Sequence, residues 1–313
     1  MHDVVVVGGS AAGLSAALAL GRSRRSVVVI DAGQPRNATS AHMHGVLGHD
    51  GAAPADFLAR GREDLVPYDV TFIDGAVTGV TRSAGSSDGD GGFEVTLEDG
   101  RTYSSRALLA ATGVRDELPD IPGLRSRWGI DVLHCPYCHG WEVRDQQIVI
   151  LATTPMAAHS ALLFRQLSAE VTMVLHGARL SDEDAVRLRA RGVTVFDGPA
   201  TELLVEQDQL RGVRLSSGET VPAQALVVAP RADASNAVMG TLGLQTSDHP
   251  MGPEFGTMYV VEMGGRTSVP GLWAAGNVVD PVATVPKSLA DGYFTGAMIN
   301  ADLVAYEASA ASA

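Results

Sequence analysis

Val4 to Val7 form an unbroken apolar run, and Gly8-Gly9-Ser10-Ala11-Ala12-Gly13 follows at once. Such a run predicts a strand buried on both faces, where a half-exposed strand would alternate. An alanine-rich stretch then predicts a helix to about Arg22, and Val27 to Ile30 a second buried strand ending at Asp31. Strand, glycine turn, helix and strand make a βαβ unit with a right-handed crossover. From about 70 to 106 the pattern changes to short strands and turns. Val95 to Leu97 and Thr102-Tyr103 flank Glu98-Asp99-Gly100-Arg101, which predicts a hairpin. The stretch from Ser83 to Gly92 is too small and polar to pack and predicts a flexible loop.

Leu108 to Ala111 predicts another buried strand, closing in Thr112-Gly113, and Pro119 and Pro122 punctuate a linker. A second βαβ-like unit opens at Ile148 to Leu151, runs through an apolar helix over 157–167 and reaches Val171 to Leu175. The charged stretch 181–191 predicts a solvent-facing helix, Leu215 to Val221 a second hairpin, and Leu226 to Val228 a buried strand. Leu272-Trp273-Ala274-Ala275-Gly276 then repeats the strand-and-turn pattern of 108–113. This order predicts an α/β chain in which one nucleotide-binding domain, 1–116 and 250–313, is split by a second, 117–249.

Composition narrows the function. The 313 residues are 45% hydrophobic, enough for a core without disulfide staples. A formal charge of −13 argues against nucleic acid and anionic membrane surfaces as partners. No apolar run reaches the roughly 18 residues that span a bilayer. No signal-peptide pattern precedes the first strand, so the expected location is the cytoplasm. The chain's two cysteines, Cys135 and Cys138, are three apart; in a reducing compartment such a pair is redox-active or metal-binding. Zinc would want two further ligands at similar spacing, and there is no second cysteine pair, so no metal is expected.

Gly8, Ser10 and Gly13 fill the three positions of G-x-G-x-x-G, with serine at the middle one. The first glycine makes the tight turn and the last lets the helix approach the strand. Backbone N–H groups of Ala11 and Ala12 at the helix start then face a pyrophosphate. Asp31, at the end of the next strand, is placed to hold an adenosine ribose. This motif alone does not separate FAD from NAD. Ala111-Thr112-Gly113 and Ala275-Gly276-Asn277 add to it, because the chain resembles the two-dinucleotide-domain flavoproteins at both turns. That family usually has Ala-Gly-Asp at the second, where Asn277 stands here. The resemblance implies FAD, with contacts at Gly276, Asn277, Thr284 and Val285. It also implies contacts in the loop after Asp31, at Ala32, Gln34, Arg36, Asn37, His44 and Gly48, and at Val77.

His134-Cys135-Pro136-Tyr137-Cys138-His139-Gly140 is the most specific motif. Cysteines at this spacing can close a disulfide, and a helix start lowers the pKa of a thiolate there. His139 or His134 could act as base, since imidazole titrates near neutrality. Placed between two nucleotide units, the motif resembles that of the low-molecular-weight thioredoxin reductases over nearly the whole chain. That resemblance implies that Cys138 faces the flavin, that Cys135 exchanges with substrate, and that the protein is a homodimer. Those reductases usually carry Asp after the second cysteine. Cys-His-Gly-Trp-Glu, here at 138–142, is instead similar to the FAD-dependent dithiol oxidases that close disulfides in gliotoxin, holomycin and romidepsin.

The second nucleotide motif is degenerate. Where G-x-G-x-x-A is expected, the chain reads Ala152-Thr153-Thr154-Pro155-Met156-Ala157, and Leu175-His176-Gly177-Ala178 stands where a basic cluster would hold a 2′-phosphate. Lost glycines and a proline oppose close backbone approach to phosphate. The expectation is an oxidase that takes electrons from a small-molecule dithiol and passes them through FAD to O2, giving H2O2. Two alternatives remain: a reductase fed by NADPH or ferredoxin, and a flavin redox sensor or partner-binding protein without turnover.

Overall fold

The structure is a computed structural model that describes residues 1–83 and 92–312; the core of the expected flexible loop, 84–91, lies outside the described residues. The chain divides into two compact units, Met1–Ala38 with Pro54–Arg115 and Ala232–Ala313, and Thr39–Ala53 with Asp116–Arg231.

The first unit opens with β1 (His2–Val7), α1 (Ala11–Arg22) and β2 (Val27–Asp31). The two strands are parallel, with Val4 opposite Val27 and Val7 opposite Ile30. Val5 and Val7 enter one apolar cluster and Val4 and Val6 another, which is why the run does not alternate. After α2 (Pro54–Glu63) come β3 (Val70–Asp74), β4 (Val77–Arg82), β5 (Phe93–Leu97) and β6 (Thr102–Ala110). The hairpin at 98–101 forms: Leu97 N–H donates to the Arg101 carbonyl at 2.9 Å, and Gly100 takes the left-handed conformation (φ +85°).

The two strands expected over 102–103 and 108–111 are a single strand, β6. Its first half is antiparallel to β5, with Ser105 opposite Phe93, and its second half parallel to β1, with Leu108 opposite Val5. The polar-to-apolar change marks a change of burial within one strand and no break. The chain leaves this unit along β7 (Val114–Glu117).

The second unit contains β8 (Val132–Leu133), α3 (Pro136–His139), β9 (Ile148–Leu151), α4 (Ala157–Phe164), β10 (Val171–Val174), α5 (Asp182–Ala190) and β11 (Thr194–Phe196). Then follow β12 (Ala200–Glu206), β13 (Gln209–Leu215), β14 (Thr220–Pro222) and β15 (Ala225–Val228). A five-stranded sheet runs β11-β10-β9-β15-β8 and a three-stranded one β12-β13-β14. α5 is capped by Ser181, whose Oγ accepts from Asp184 N–H at 3.1 Å, and buries Leu188. The β12–β13 hairpin has no glycine signal, because Gln207 (φ 51°) and Asp208 (φ 57°) make its left-handed turn themselves. Buried Arg127 holds that turn: it donates to the Asp208 carbonyl (3.0 Å), pairs with the Asp208 carboxylate, and grips both oxygens of Asp131 (2.9 and 2.6 Å).

The return to the first unit falls at Ala232, earlier than the expected 250. β16 (Arg231–Ala234) sets Ala232 opposite Gly256, so Ala234, Met239 and Leu244 join the core of the first unit. β17 (Thr246–Asp248), β18 (Gly256–Tyr259), β19 (Leu272–Ala274) and α6 (Val285–Ala310) complete the chain. β19 pairs with β6, Leu272 opposite Leu108, in a seven-stranded sheet otherwise ordered β3-β2-β1-β6-β5-β4. α1 and α6 cross at small residues: a Cβ on Gly292 would overlap the Ala12 carbonyl oxygen, and one on Gly296 would come within 2.6 Å of the Ala16 carbonyl oxygen. No helix among the described residues is long and apolar enough to cross a membrane.

Candidate active site and cofactor cradle

In the first unit, four strand ends converge through three backbone hydrogen bonds. Gly8 N–H donates to Ile30 (2.8 Å), Ala111 N–H to Val7 (2.8 Å), and Ala275 N–H to Ala110 (3.1 Å). The β1–α1 turn admits no side chains where glycine stands. Gly8 is left-handed (φ +108°), and a Cβ there would overlap the Ala111 carbonyl oxygen; one on Gly13 would overlap the Gly8 carbonyl oxygen. Ser10 is the N-cap of α1 yet makes no side-chain cap hydrogen bond, so its hydroxyl is not spent on the helix. Ala11 and Ala12 form the first turn of α1, with N–H groups that no preceding turn satisfies. A Cβ on Gly276 would meet Ala12 Cβ at 2.7 Å, which ties the second glycine turn to the same helix start. This bare-backbone cradle at a helix N-terminus fits the pyrophosphate of a dinucleotide.

Gly9, absent from the sequence expectations, lies against Asp31: a Cβ there would come within 2.9 Å of Asp31 Cγ. Asp31 Oδ2 accepts from Arg62 Nη2 of α2 at 2.8 Å, a partner that the sequence did not signal. One carboxylate oxygen is thereby fixed by the guanidinium. Ala32, Gln34, Arg36 and Asn37 follow Asp31 in the same unit, Val77 opens β4, and Thr112-Gly113 (Gly113 φ +66°) follow β6. Arg36 Nη1 donates to the Pro281 carbonyl at 2.6 Å. Asn277 Nδ2 faces the carbonyls of Ala283 (2.9 Å), Asp280 (3.1 Å) and Pro281 (3.4 Å). Both side chains hold the loop that delivers Thr284 and Val285, the N-cap and first residue of α6. His44 and Gly48 belong to the other unit, in the segment Thr39–Ala53.

In the second unit, Cys135 and Cys138 are joined as a disulfide with Cα atoms 5.2 Å apart. Cys135 is the extended N-cap of α3, Pro136 its first residue, and His139 N–H donates to the Cys135 carbonyl at 3.2 Å. α3 spans only Pro136–His139, so the helix dipole expected to favour a thiolate is that of a single turn. Gly140 permits the exit, because a Cβ there would overlap the Pro136 carbonyl oxygen. His134 immediately precedes the pair and is half-buried. His139 Nε2 is buried without a hydrogen-bond partner. Burial lowers the His139 pKa, with Glu142 opposing the shift and His44 adding to it, so the ring favours its neutral, proton-accepting form. Tyr137 (75% exposed) and Trp141 (65% exposed) leave apolar surface beside the disulfide.

The same unit shows what became of the second nucleotide motif. Thr153 Oγ1 donates to the Ala229 carbonyl at 2.8 Å, Thr154 is buried, and Met156 stands at the N-cap of α4 without capping it. His176 Nδ1 accepts from Ala200 N–H at 3.0 Å, and burial lowers its pKa. His176 thus favours the neutral form and is engaged with backbone.

The model of the pyridine nucleotide-disulphide oxidoreductases matches residues 2–292. The thioredoxin reductase tcpT of Claviceps purpurea is 33% identical, covering 97% of this chain and 94% of its own length. The thioredoxin reductase sirT of Leptosphaeria maculans is 31% identical, covering 96% and 94%. Among solved structures, that of HlmI is 45% identical with a TM-score of 0.91, covering 99% of this chain and 95% of that one.

Proposed function

The chain belongs to the pyridine nucleotide-disulphide oxidoreductase family, with FAD as cofactor, and from this premise we propose that it is a dithiol oxidase. Its substrate is a small-molecule dithiol, in which it closes an intramolecular disulfide with O2 as final acceptor. The observation that carries this reading is the loop 152–156, which contains no glycine and has a proline at 155. A pyridine nucleotide needs close backbone approach and free N–H groups there. With His176 in place of a cationic cluster, electrons are better supplied by thiols than by NADPH.

In the proposed reaction a substrate thiolate attacks Cys135 Sγ, the Cys135–Cys138 bond breaks, and Cys138 leaves as thiolate. His139 takes the proton of the second substrate thiol. That thiolate attacks the substrate sulfur of the mixed disulfide and releases Cys135, so the substrate leaves oxidised by two electrons. Bound FAD supplies the acceptor that reoxidises the cysteine pair, and O2 leaves as H2O2. Cys135→Ser and Cys138→Ser should each abolish closure; a single variant with full activity would refute the scheme.

The names of the relatives favour a second reading, a disulfide reductase fed by NADPH. Anaerobic stopped-flow mixing of the FAD-loaded protein with NADPH, and separately with a small dithiol, distinguishes the two. Bleaching by the dithiol alone, with colour and peroxide returning in air, supports the oxidase. Rapid bleaching by NADPH overturns it.

A further inference from the structure

α6 begins with Val285 and Pro286, and Lys287 is its third residue. The first turn of a helix favours anions, because N–H groups without intrahelical partners leave positive charge there. α6 has no acid in its first turn and carries this lysine instead. The ammonium is committed to two carboxylates: Lys287 Nζ lies 3.0 Å from Asp280 Oδ2 and 2.6 Å from Asp291 Oδ2. Burial works against the charged lysine, but the two carboxylates outweigh it, and its pKa is raised. Asp291 stands one turn further along α6, whereas Asp280 lies in the loop that precedes the helix.

Asp280 is the residue on which that loop closes. Its N–H donates to the Gly276 carbonyl (3.1 Å), and its carbonyl accepts from Ala283 N–H (3.0 Å) and Asn277 Nδ2 (3.1 Å). One carboxylate oxygen accepts from Val282 N–H at 3.2 Å, and the other faces Lys287. Asn277 thus organises the turn from within, while Lys287 fastens it to the helix across Thr284 and Val285, two of the expected FAD contacts. We propose that Lys287 is a positioning residue for FAD: through Asp280 it latches the turn 276–283 to the first turn of α6 and holds the Thr284–Val285 backbone in the conformation that receives the cofactor. The inference needs FAD as cofactor and does not depend on the direction in which electrons run. Asp280 is 25% exposed and Lys287 49%, so solvent screening holds the effect to the low end for a charge-assisted hydrogen bond.

The test measures FAD dissociation constants by flavin-fluorescence quenching with full-length apoprotein. The proteins are wild type, Lys287→Met, Asp280→Asn, the double variant, Asp291→Asn and Lys287→Arg. Asp280→Asn keeps an oxygen for Val282 N–H and removes only the charge opposite Lys287. Lys287→Met and Asp280→Asn should each weaken FAD binding about tenfold. The double variant should lose no more than either, because both changes break the same pair. Lys287→Arg should stay within about threefold of wild type, since a guanidinium can bridge the same two carboxylates. Asp291→Asn, which leaves the latch in place, should lose less than Asp280→Asn. Unchanged affinity in Lys287→Met, additive losses in the double variant, or equal losses at 280 and 291 would overturn the proposal. Melting midpoints of the FAD-free variants should stay near that of wild type. A fall that tracks the lost affinity would show a pair that only stabilises the fold, and would also overturn it.

Discussion

Asn277→Asp asks what the departure from the family's usual Ala-Gly-Asp does in this chain. The Asn277 amide nitrogen faces three carbonyl oxygens, at 2.9, 3.1 and 3.4 Å, in the loop that leads into α6. A carboxylate has no proton to donate and would direct negative charge at all three. The two shorter hydrogen bonds contribute about 1 kcal/mol each, so their loss costs about 2 kcal/mol. Asn277 is half-buried, which lets the new carboxylate turn toward water and limits any further burial cost. If the whole loss falls on the state that binds cofactor, FAD affinity drops roughly thirtyfold near neutrality. Flavin-fluorescence quenching with apoprotein measures it. The defect should shrink as pH falls toward the ordinary carboxylate range near about 4, because a protonated carboxyl regains one donor. The folded-state pKa of that carboxyl would be raised, so the penalty applies above it and is relieved below it. Affinity unchanged at neutral pH, or a defect that grows on acidification, would refute the account of the loop.

Three further outcomes follow from packing and charge. Gly292→Ala should lower the thermal midpoint and weaken FAD binding, since its Cβ meets the Ala12 backbone and overpacking costs about 1–3 kcal/mol; an unchanged melt would show that α6 shifts freely. Arg127→Met should destabilise the second unit by about 3–5 kcal/mol in urea titration, because both carboxylates lose their cation and Asp131 (14% exposed), unlike Asp208 (91% exposed), cannot turn to water. Adding Asp131→Leu to it should recover much of the loss, and a double variant worse than the single would contradict this. Burial lowers the pKa of both His139 and His176, so the unfolded chain takes up protons first on acidification. Stability of the second unit should hold above about pH 6.5 and decline below it; melts that stay level from pH 7 to 5 would count against that.

Local order was legible in the residues themselves. β1, the glycine turn, α1 and Asp31 lie within a few tens of residues, and each step has its own steric or periodic signal. The same holds for the Cys135–Cys138 pair and for the hairpins at 98–101 and 215–221, where glycine marks the turn. Where a signal was missing or ambiguous, the structure decided. β6 looks like two strands because its burial changes halfway, and Gln207-Asp208 turns without glycine because Arg127 secures it from a distant segment. Tertiary structure alone put Arg62 on Asp31, Gly9 against the same carboxylate and the Asn277 amide on the 280–283 carbonyls. It also assigned 39–53 to the second unit, where His44 Nε2 lies 3.3 Å from Glu142 Oε1. Backbone periodicity and turn chemistry act between neighbours and can be read along the chain. Which side chain meets which carboxylate across tens of residues depends on how whole elements pack, and no single stretch of sequence encodes that.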